Sequence, residues 1–383
     1  MGAGSGALTS PAERPGVGPE GRALVALVLV LLVFGLAQLY SASVHKATAS
    51  GLPSHAFALR QALGLPIALA LAFGLGRMDY RRLWSAAWPL VGAALALLLL
   101  TVLPGAEAVA PRINGARRWL VVGPIVFQPA ELAKFAVLVW TAMLTVKKGP
   151  RLRSLRRGLL PFLVVWGLVA SLVVLQPNFS AAVLLVGLGA LTVVAGGGRL
   201  AHFVALGLAA APILWFQVSG SGYRWRRWLA LLDPARDPTG IGYQLQQALV
   251  AVGSGGWAGV GFGQSVQKLG FLPEPHNDFL YAIFAEEWGW LGTVVLVLAF
   301  AGLLLIGYRI AWRAPDLFGA LLAIGMTNLL VGSFALHLAV SLALVPPTGV
   351  ILPFFSYGRS GLLLAGAAVG VLLAVARAGY AQR

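Results

Sequence analysis

The chain contains no cysteine, so disulfides, thiolate nucleophiles and cysteine-based metal sites are excluded. Charge is scarce as well. Only 10% of the 383 residues are Asp, Glu, Lys or Arg against 59% apolar, about the reverse of what a soluble domain needs to cover its surface. Acidic side chains are the rarer part of that minority, 12 against 28 basic, for a formal net charge of +16. In a soluble protein this excess would suggest a nucleic-acid partner. Here the basic residues cluster between apolar runs, so membrane topology explains them and no nucleic acid is expected. The chemistry left to the chain is that of carboxylates, histidines and hydroxyls.

What the chain has in abundance is long apolar runs. At roughly 20 residues they suit helices that cross a bilayer, whereas barrel strands would be about 10 residues and alternating. Hydropathy predicts spans over Arg22–Ser43, Phe57–Gly76, Trp84–Pro104, Pro129–Val146, Gly158–Leu175, Phe179–Gly197, Leu200–Ser219, Asp278–Tyr308, Asp316–Leu344 and Phe354–Ala378. The expected fold is an all-α integral membrane protein of about ten helices. It forms one polytopic domain over 22–383, after a disordered cytoplasmic tail over 1–21 rich in Gly, Pro, Ala and Ser. Arg22 with Ala23–Ala37 resembles a signal peptide, but so many later spans favour an uncleaved first helix.

Charge gives the orientation. With the N-terminus inside, the inner segments hold sixteen of the basic residues, among them Arg77, Arg81, Arg82, Lys147, Lys148, Arg151, Arg153, Arg156, Arg157, Arg199 and Arg313. Only Glu13, Glu20, Asp79 and Asp316 oppose them there. The positive-inside rule then predicts both termini cytoplasmic. Two substantial loops, 105–128 and 220–277, fall outside.

The second of these ends in Leu272-Pro273-Glu274-Pro275-His276-Asn277-Asp278 and runs straight into an apolar span. A carboxylate at the membrane edge costs free energy unless solvated or paired, which marks Asp278 as a functional candidate. The simpler reading is a helix N-cap. Eight and nine residues on stand Glu286 and Glu287. At about 100° per residue Glu286 lies about 80° round from Asp278 and can share a polar groove with it, while Glu287 faces away and is expected to pair elsewhere. Two carboxylates could hold a divalent cation, although their spacing with His276 matches no tight metal site. Glu131 and Lys134, three apart on one helical face, suit either an ion pair that carries both charges into the membrane or a cation for an anionic headgroup, aided by Arg112, Arg117 and Arg118. Tyr223–Trp228 alternates Arg and Trp as a headgroup-level segment would. Gly253–Ala258 fits G-x-G-x-x-A but lacks the βαβ context of a dinucleotide site, so close packing or a tight loop explains its glycines. Asn328 and His337 inside the ninth span suit interhelical hydrogen bonds. The breaker-rich entry to the tenth, Pro346 to Gly361, predicts irregular backbone that is buried or lines a cavity.

Taken in order, Asn114–Trp119, Phe127–Lys134, Gly253–Gly256, Leu272–Phe279, Ala285–Gly289, Pro347–Gly349 and Ser356–Gly358 resemble the SEDS family (shape, elongation, division and sporulation), which includes FtsW and RodA proteins. The likeness covers nearly everything after Arg22, with a lean to the division branch. It implies a ten-helix peptidoglycan glycosyltransferase of the bacterial cytoplasmic membrane that polymerises lipid II at the outer face and works with a class B penicillin-binding protein, with lipid II, undecaprenyl-linked glycan and membrane lipids as its other partners. It makes Asp278 the catalytic carboxylate. The substrate-facing set that accompanies it is Lys134, Arg118, Arg117, Glu131, Gln128, Lys268, Glu274, His276, Asn277, Ser356, Arg359 and Ser360. A divalent cation, magnesium or manganese, on Asp278 and Glu286 stays open. Three positions depart from the family pattern: Arg359 replaces a glycine, Asn178 stands where Asp is frequent, and Ala130 where Ser is common. The rivals are a transporter that flips the lipid-linked precursor and a non-catalytic scaffold. Polar groups gathered at the outer face, with few charges in the inner halves of the spans, favour the polymerase.

Overall fold

A computed structural model of the chain describes residues 16–382 apart from 114, 124, 221, 235, 236, 238 and 239. Among the described residues, ten apolar helical segments run in chain order: α1 (Gly18–Ala49), α2 with α3 (Ala56–Ala62, Leu65–Arg77), α4 (Arg82–Val102), α5 (Pro129–Lys148), α6 (Leu160–Leu175), α7 (Phe179–Ala195), α8 (Leu200–Ser219), α11 (Leu280–Trp312), α12 (Leu317–Ser341) and α13 (Arg359–Ala381). Eight are long and apolar enough to span by length and composition, and α7 and α8 are shorter apolar helices. Helix α1 begins at Gly18, four residues inside the expected tail, with a proline in its first turn where no N–H is needed. The rest of the tail reading, residues 1–15, lies outside the described residues.

The loops are more structured than their composition suggests. Leu120–Val122 and Ile125–Phe127 form a short antiparallel hairpin, β1 and β2, and the long loop folds into α9 (Gly222–Leu232) and α10 (Ile241–Ser254).

Lipid is as apolar as leucine, so helices associate here through close packing and internal polar bonds rather than through hydrophobic exclusion. Along α3 and α13, Ala68 and Ala72 face Gly366 and Gly370. A Cβ at Gly366 would lie 2.5 Å from the Ala68 carbonyl oxygen and one at Gly370 2.8 Å from that of Ala72, so the two backbones touch. Helix α5 is buried along nearly its whole length, with α4, α7, α12 and α13 against it. Helix α8 is the opposite case: Leu208 and Phe216 are more than two-thirds exposed and face the acyl chains.

Helix α11 is broken nine residues after it starts. Gly289 adopts φ 63°, ψ −159°, which interrupts the helical ladder at membrane depth. The freed groups find partners in the glycine tract after α10. Val260 and Gly261 N–H donate to the carbonyls of Glu286 and Glu287 at 3.0 and 3.1 Å, while Trp290 and Leu291 N–H donate to the carbonyls of Gly256 and Trp257 at 2.9 and 3.0 Å. Glycines are needed because the tract lies directly on α11: a Cβ at Gly255 would strike the Ala285 carbonyl and one at Gly259 that of Glu287. The close-packing reading of this motif is therefore what the fold uses.

Candidate active site

Asp278 ends the loop that leads into α11. The helix starts at Leu280 with Phe279 as N-cap and no side-chain cap, so the capping role expected of Asp278 is not used. Its carboxylate, half-buried, is left for other work. Burial, and then the negative charge of Glu274, push its pKa up from 3.8 to about 6, against the pull of the Arg227 and Arg118 guanidiniums. A carboxylate that is mostly ionised at neutral pH yet more basic than a free one is suited to take a proton.

The loop bearing Asp278 is fixed from three sides. Glu274 holds φ 50°, uncommon for a side chain with a Cβ, and this turns its carboxylate back to accept from Asn277 Nδ2 at 2.8 Å. The His276 ring is buried against Phe57 and Tyr357, with centroids 4.6 and 5.9 Å away. Burial, with Lys46 nearby, lowers its pKa and keeps it neutral although Glu274 opposes the shift. Ser356 Oγ donates to the Asn277 carbonyl at 2.9 Å and accepts from Leu352 N–H at 3.0 Å, so this hydroxyl locks the loop. Gln61 of α2 ties in the same segment, donating to the Ser356 carbonyl at 3.2 Å and accepting from Gly358 N–H at 3.1 Å. From α12, His337 accepts from Tyr281 N–H at 3.4 Å through Nε2 and contacts the Val350 carbonyl through Nδ1 at 2.9 Å. It thereby bridges the start of α11 to the loop after α12, the interhelical role expected of it. Asn328 likewise accepts from Tyr308 at 3.2 Å.

Two arginines that act electrostatically on Asp278, Arg118 and Arg227, line a cavity of about 240 Å³ formed by other segments. Its polar lining is Arg118, Asn178, Ser180, Arg227, Thr348 and Gly349, and Val183, Val218, Trp228 and Leu336 supply an apolar side. Both arginines are held in place. Arg118 donates from Nε to the Gln176 carbonyl at 2.9 Å and from Nη2 to that of Pro177 at 2.6 Å. Arg227, on α9, donates to the Pro347 carbonyl at 2.7 Å. Two planar cations on one cavity, both acting electrostatically on one carboxylate, make an anion site next to a base. Arg227 was not among the residues expected here: Tyr223–Trp228 reads as interfacial, and only folding into α9 brings its fifth residue into the cavity.

Several other expected substrate residues are engaged inside the protein. Lys134 and Glu131 form a buried ion pair at 2.9 Å, the structural alternative for these two. Lys268 Nζ is buried 2.8 Å from Glu287, whose carboxylate also accepts from Gln38 at 2.9 Å and Ser41 at 2.5 Å. Glu287 thus pairs away from Asp278, as its helical phase predicts. Glu286 does not share the expected groove with Asp278. It accepts from Ser265 Oγ and from the N–H groups of Val266 at 3.0 Å and Gln267 at 3.3 Å, because the loop returning from the glycine tract presents those donors to it. With its oxygens so engaged, Glu286 does not fit a cation bridging it to Asp278, and no cluster of three metal-ligating side chains occurs among the described residues. Ser360 accepts from Gln128 N–H at 2.9 Å, joining the starts of α13 and α5. Arg117 pairs with Glu107. Arg359 opens α13 with its stem against Gly64. Asn114 lies outside the described residues.

Fold and site together define a polytopic α-helical membrane protein with a basic carboxylate and a two-arginine cavity at one end of its bundle. The family model described as cell cycle protein, spanning FtsW, RodA and SpoVE, matches residues 22–380, and the chain belongs to this family. It is 39% identical to stage V sporulation protein E of Bacillus subtilis, over 92% of this chain and 96% of that one. To the probable peptidoglycan glycosyltransferase FtsW of Trichlorobacter lovleyi it is 37% identical over 91% of each. Among solved structures, a chain of a peptidoglycan synthase complex that coordinates polymerization and crosslinking superposes with a TM-score of 0.77 at 32% identity, covering 93% of this chain and 97% of the other. The rod shape determining protein RodA of Thermus thermophilus superposes at 0.67 with 30% identity, covering 92% and 95%.

Proposed function

We propose that this protein is a peptidoglycan glycosyltransferase that polymerises lipid II into β-1,4-linked glycan at the outer face of the bacterial cytoplasmic membrane, with both termini cytoplasmic. The observation that carries this is a carboxylate of raised pKa, Asp278, within electrostatic reach of two arginines, Arg118 and Arg227, that share one cavity. In the reaction the 4-hydroxyl of one sugar attacks the anomeric carbon of another held by a lipid diphosphate. The new C1–O4 bond forms as the C1–O phosphate bond breaks, inverting α to β. The hydroxyl proton goes to the Asp278 carboxylate and the electron pair leaves with the diphosphate.

A positioned base contributes about 10²–10⁴-fold. The arginines stabilise the charge that develops on the departing diphosphate and hold the donor in register beforehand. No step requires a metal bridging Asp278 and Glu286. Likeness to a chain of a peptidoglycan synthase complex supports work alongside a crosslinking partner, a class B penicillin-binding protein.

The test uses purified protein, lipid II and that partner inactivated at its own active site. Wild type should form long glycan and a folded Asp278→Ala variant none. Equal polymer from both would remove Asp278 from the reaction, and lipid translocation in vesicles without polymer would favour the transporter.

A further inference from the structure

The segment joining α5 to α6 is charged out of proportion to its length. Lys147, Lys148, Arg151, Arg153, Arg156 and Arg157 fall within eleven residues, and no acidic residue occurs anywhere between Glu131 and Asp233. A preference for positive charge at one end of a membrane bundle accounts for the sign. It does not account for the order. The segment is folded into two consecutive turns, Gly149–Arg153 of 3₁₀ type and Leu155–Leu159 of π type. Leu152 is buried beneath them, and Gly158 packs against the Arg151 carbonyl so closely that a Cβ would collide with it. Lys148 Nζ donates to the Arg157 carbonyl at 3.0 Å, and Ser154 Oγ accepts from Arg157 N–H at 3.4 Å.

These contacts pin the backbone and leave Lys147, Arg151, Arg153, Arg156 and Arg157 exposed. Arg199 adds a further exposed cation, because the α7–α8 turn packs its Gly196 on Thr145 near the end of α5. Among the described residues no carboxylate pairs with any of them. Between the arginines, Leu155 is 45% exposed, and Leu160 at the start of α6 is 49% exposed. Apolar side chains set among cations at the end of a membrane helix match an interface where phosphate lies just above acyl chain.

We infer that this ordered basic ridge binds the phosphate headgroups of anionic phospholipids, of the phosphatidylglycerol or cardiolipin class, in the leaflet at that end of the bundle. On the orientation proposed above this is the cytoplasmic leaflet, but binding measured in detergent does not depend on that orientation or on the glycosyltransferase reading. Each basic residue near a charged surface contributes about five-fold in affinity, so neutralising three should cost on the order of a hundred-fold.

The experiment titrates phosphatidylglycerol and phosphatidylcholine into delipidated, detergent-solubilised full-length protein and reads bound lipid by native mass spectrometry. Wild type should retain phosphatidylglycerol in preference to phosphatidylcholine. The triple variant R153Q/R156Q/R157Q should lose that preference by about a hundred-fold, while R153K/R156K/R157K, which keeps the charge, should hold it within a few-fold. Circular dichroism of both variants separates lost binding from lost fold. Wild-type affinity in the glutamine variant, or equal retention of the two lipids by wild type, would overturn the inference. So would displacement by glycerol phosphate at equal concentration, which would assign the ridge to a free anion.

Discussion

At the scale of single residues, the protonation of Asp278 sets the clearest expectations. Its action as a base requires the ionised form, so kcat/KM should fall about tenfold per pH unit below about 6 and level off above. Glu274 raises this pKa and Arg227 lowers it. The acid limb of the pH profile should therefore move down in Glu274→Gln and up in Arg227→Gln; an unmoved limb in both would show that another group titrates. Stability has the opposite sense. A folded pKa above the unfolded 3.8 means that the native state holds its proton longer, so ionising Asp278 costs stability as pH rises through the window from about 4 to 6. Replacing it by Asn should stabilise the protein at pH 7.5 by up to about 3 kcal/mol, less what solvent screens at this half-buried site. At pH 4 the gain should vanish, and thermal unfolding of both forms at the two pH values measures the difference. A residue that destabilises its own fold while catalysis needs it is what a functional site predicts.

At the scale of elements, the break in α11 anchors the helical segment that follows Asp278. The segment 280–288 is held by the glycine tract on its backbone, by Ser265 and the 266–267 amides on Glu286, and by Lys268, Ser41 and Gln38 on Glu287. Gly259→Ala would place a Cβ against the Glu287 carbonyl at a backbone φ of 80°. The expected loss is about 2–4 kcal/mol, seen as a lower unfolding midpoint and a reduced yield of folded protein. Gly253→Ala, whose Cβ would meet nothing within 4 Å, should be tolerated. Equal effects from the two would mean that the tract does not support the break. The sequence announced part of this arrangement: glycines spaced for close approach were visible, and so was the helical phase that sends Glu287 away from Asp278. What Glu287 and Glu286 pair with was not, because Gln38 and Ser41 lie about 250 residues away and Ser265 belongs to no periodic segment. Arg227 stayed hidden for a related reason, since its place on the cavity depends on where α9 docks.

At the scale of the molecule, the spans were legible because bilayer thickness fixes their length and apolar content, and tertiary contacts cannot alter either. Helix ends moved by a few residues, as at Gly18 and Leu280, where local turn geometry decides. Orientation rests on different physics. The basic residues gather at the end of the bundle that carries the 147–157 ridge, and Asp278, Glu274 and the cavity lie at the other. A chain without native cysteine makes this directly measurable. Leu155→Cys, on the ridge, and Gln264→Cys, in the exposed loop between α10 and α11, each introduce a single thiol at an exposed position. A membrane-impermeant maleimide applied to spheroplasts should label Gln264→Cys at once and Leu155→Cys only after permeabilisation. The reverse pattern would place Asp278 in the cytoplasm, where polymer released to the outer face could not be made, and would require the transporter reading in its place.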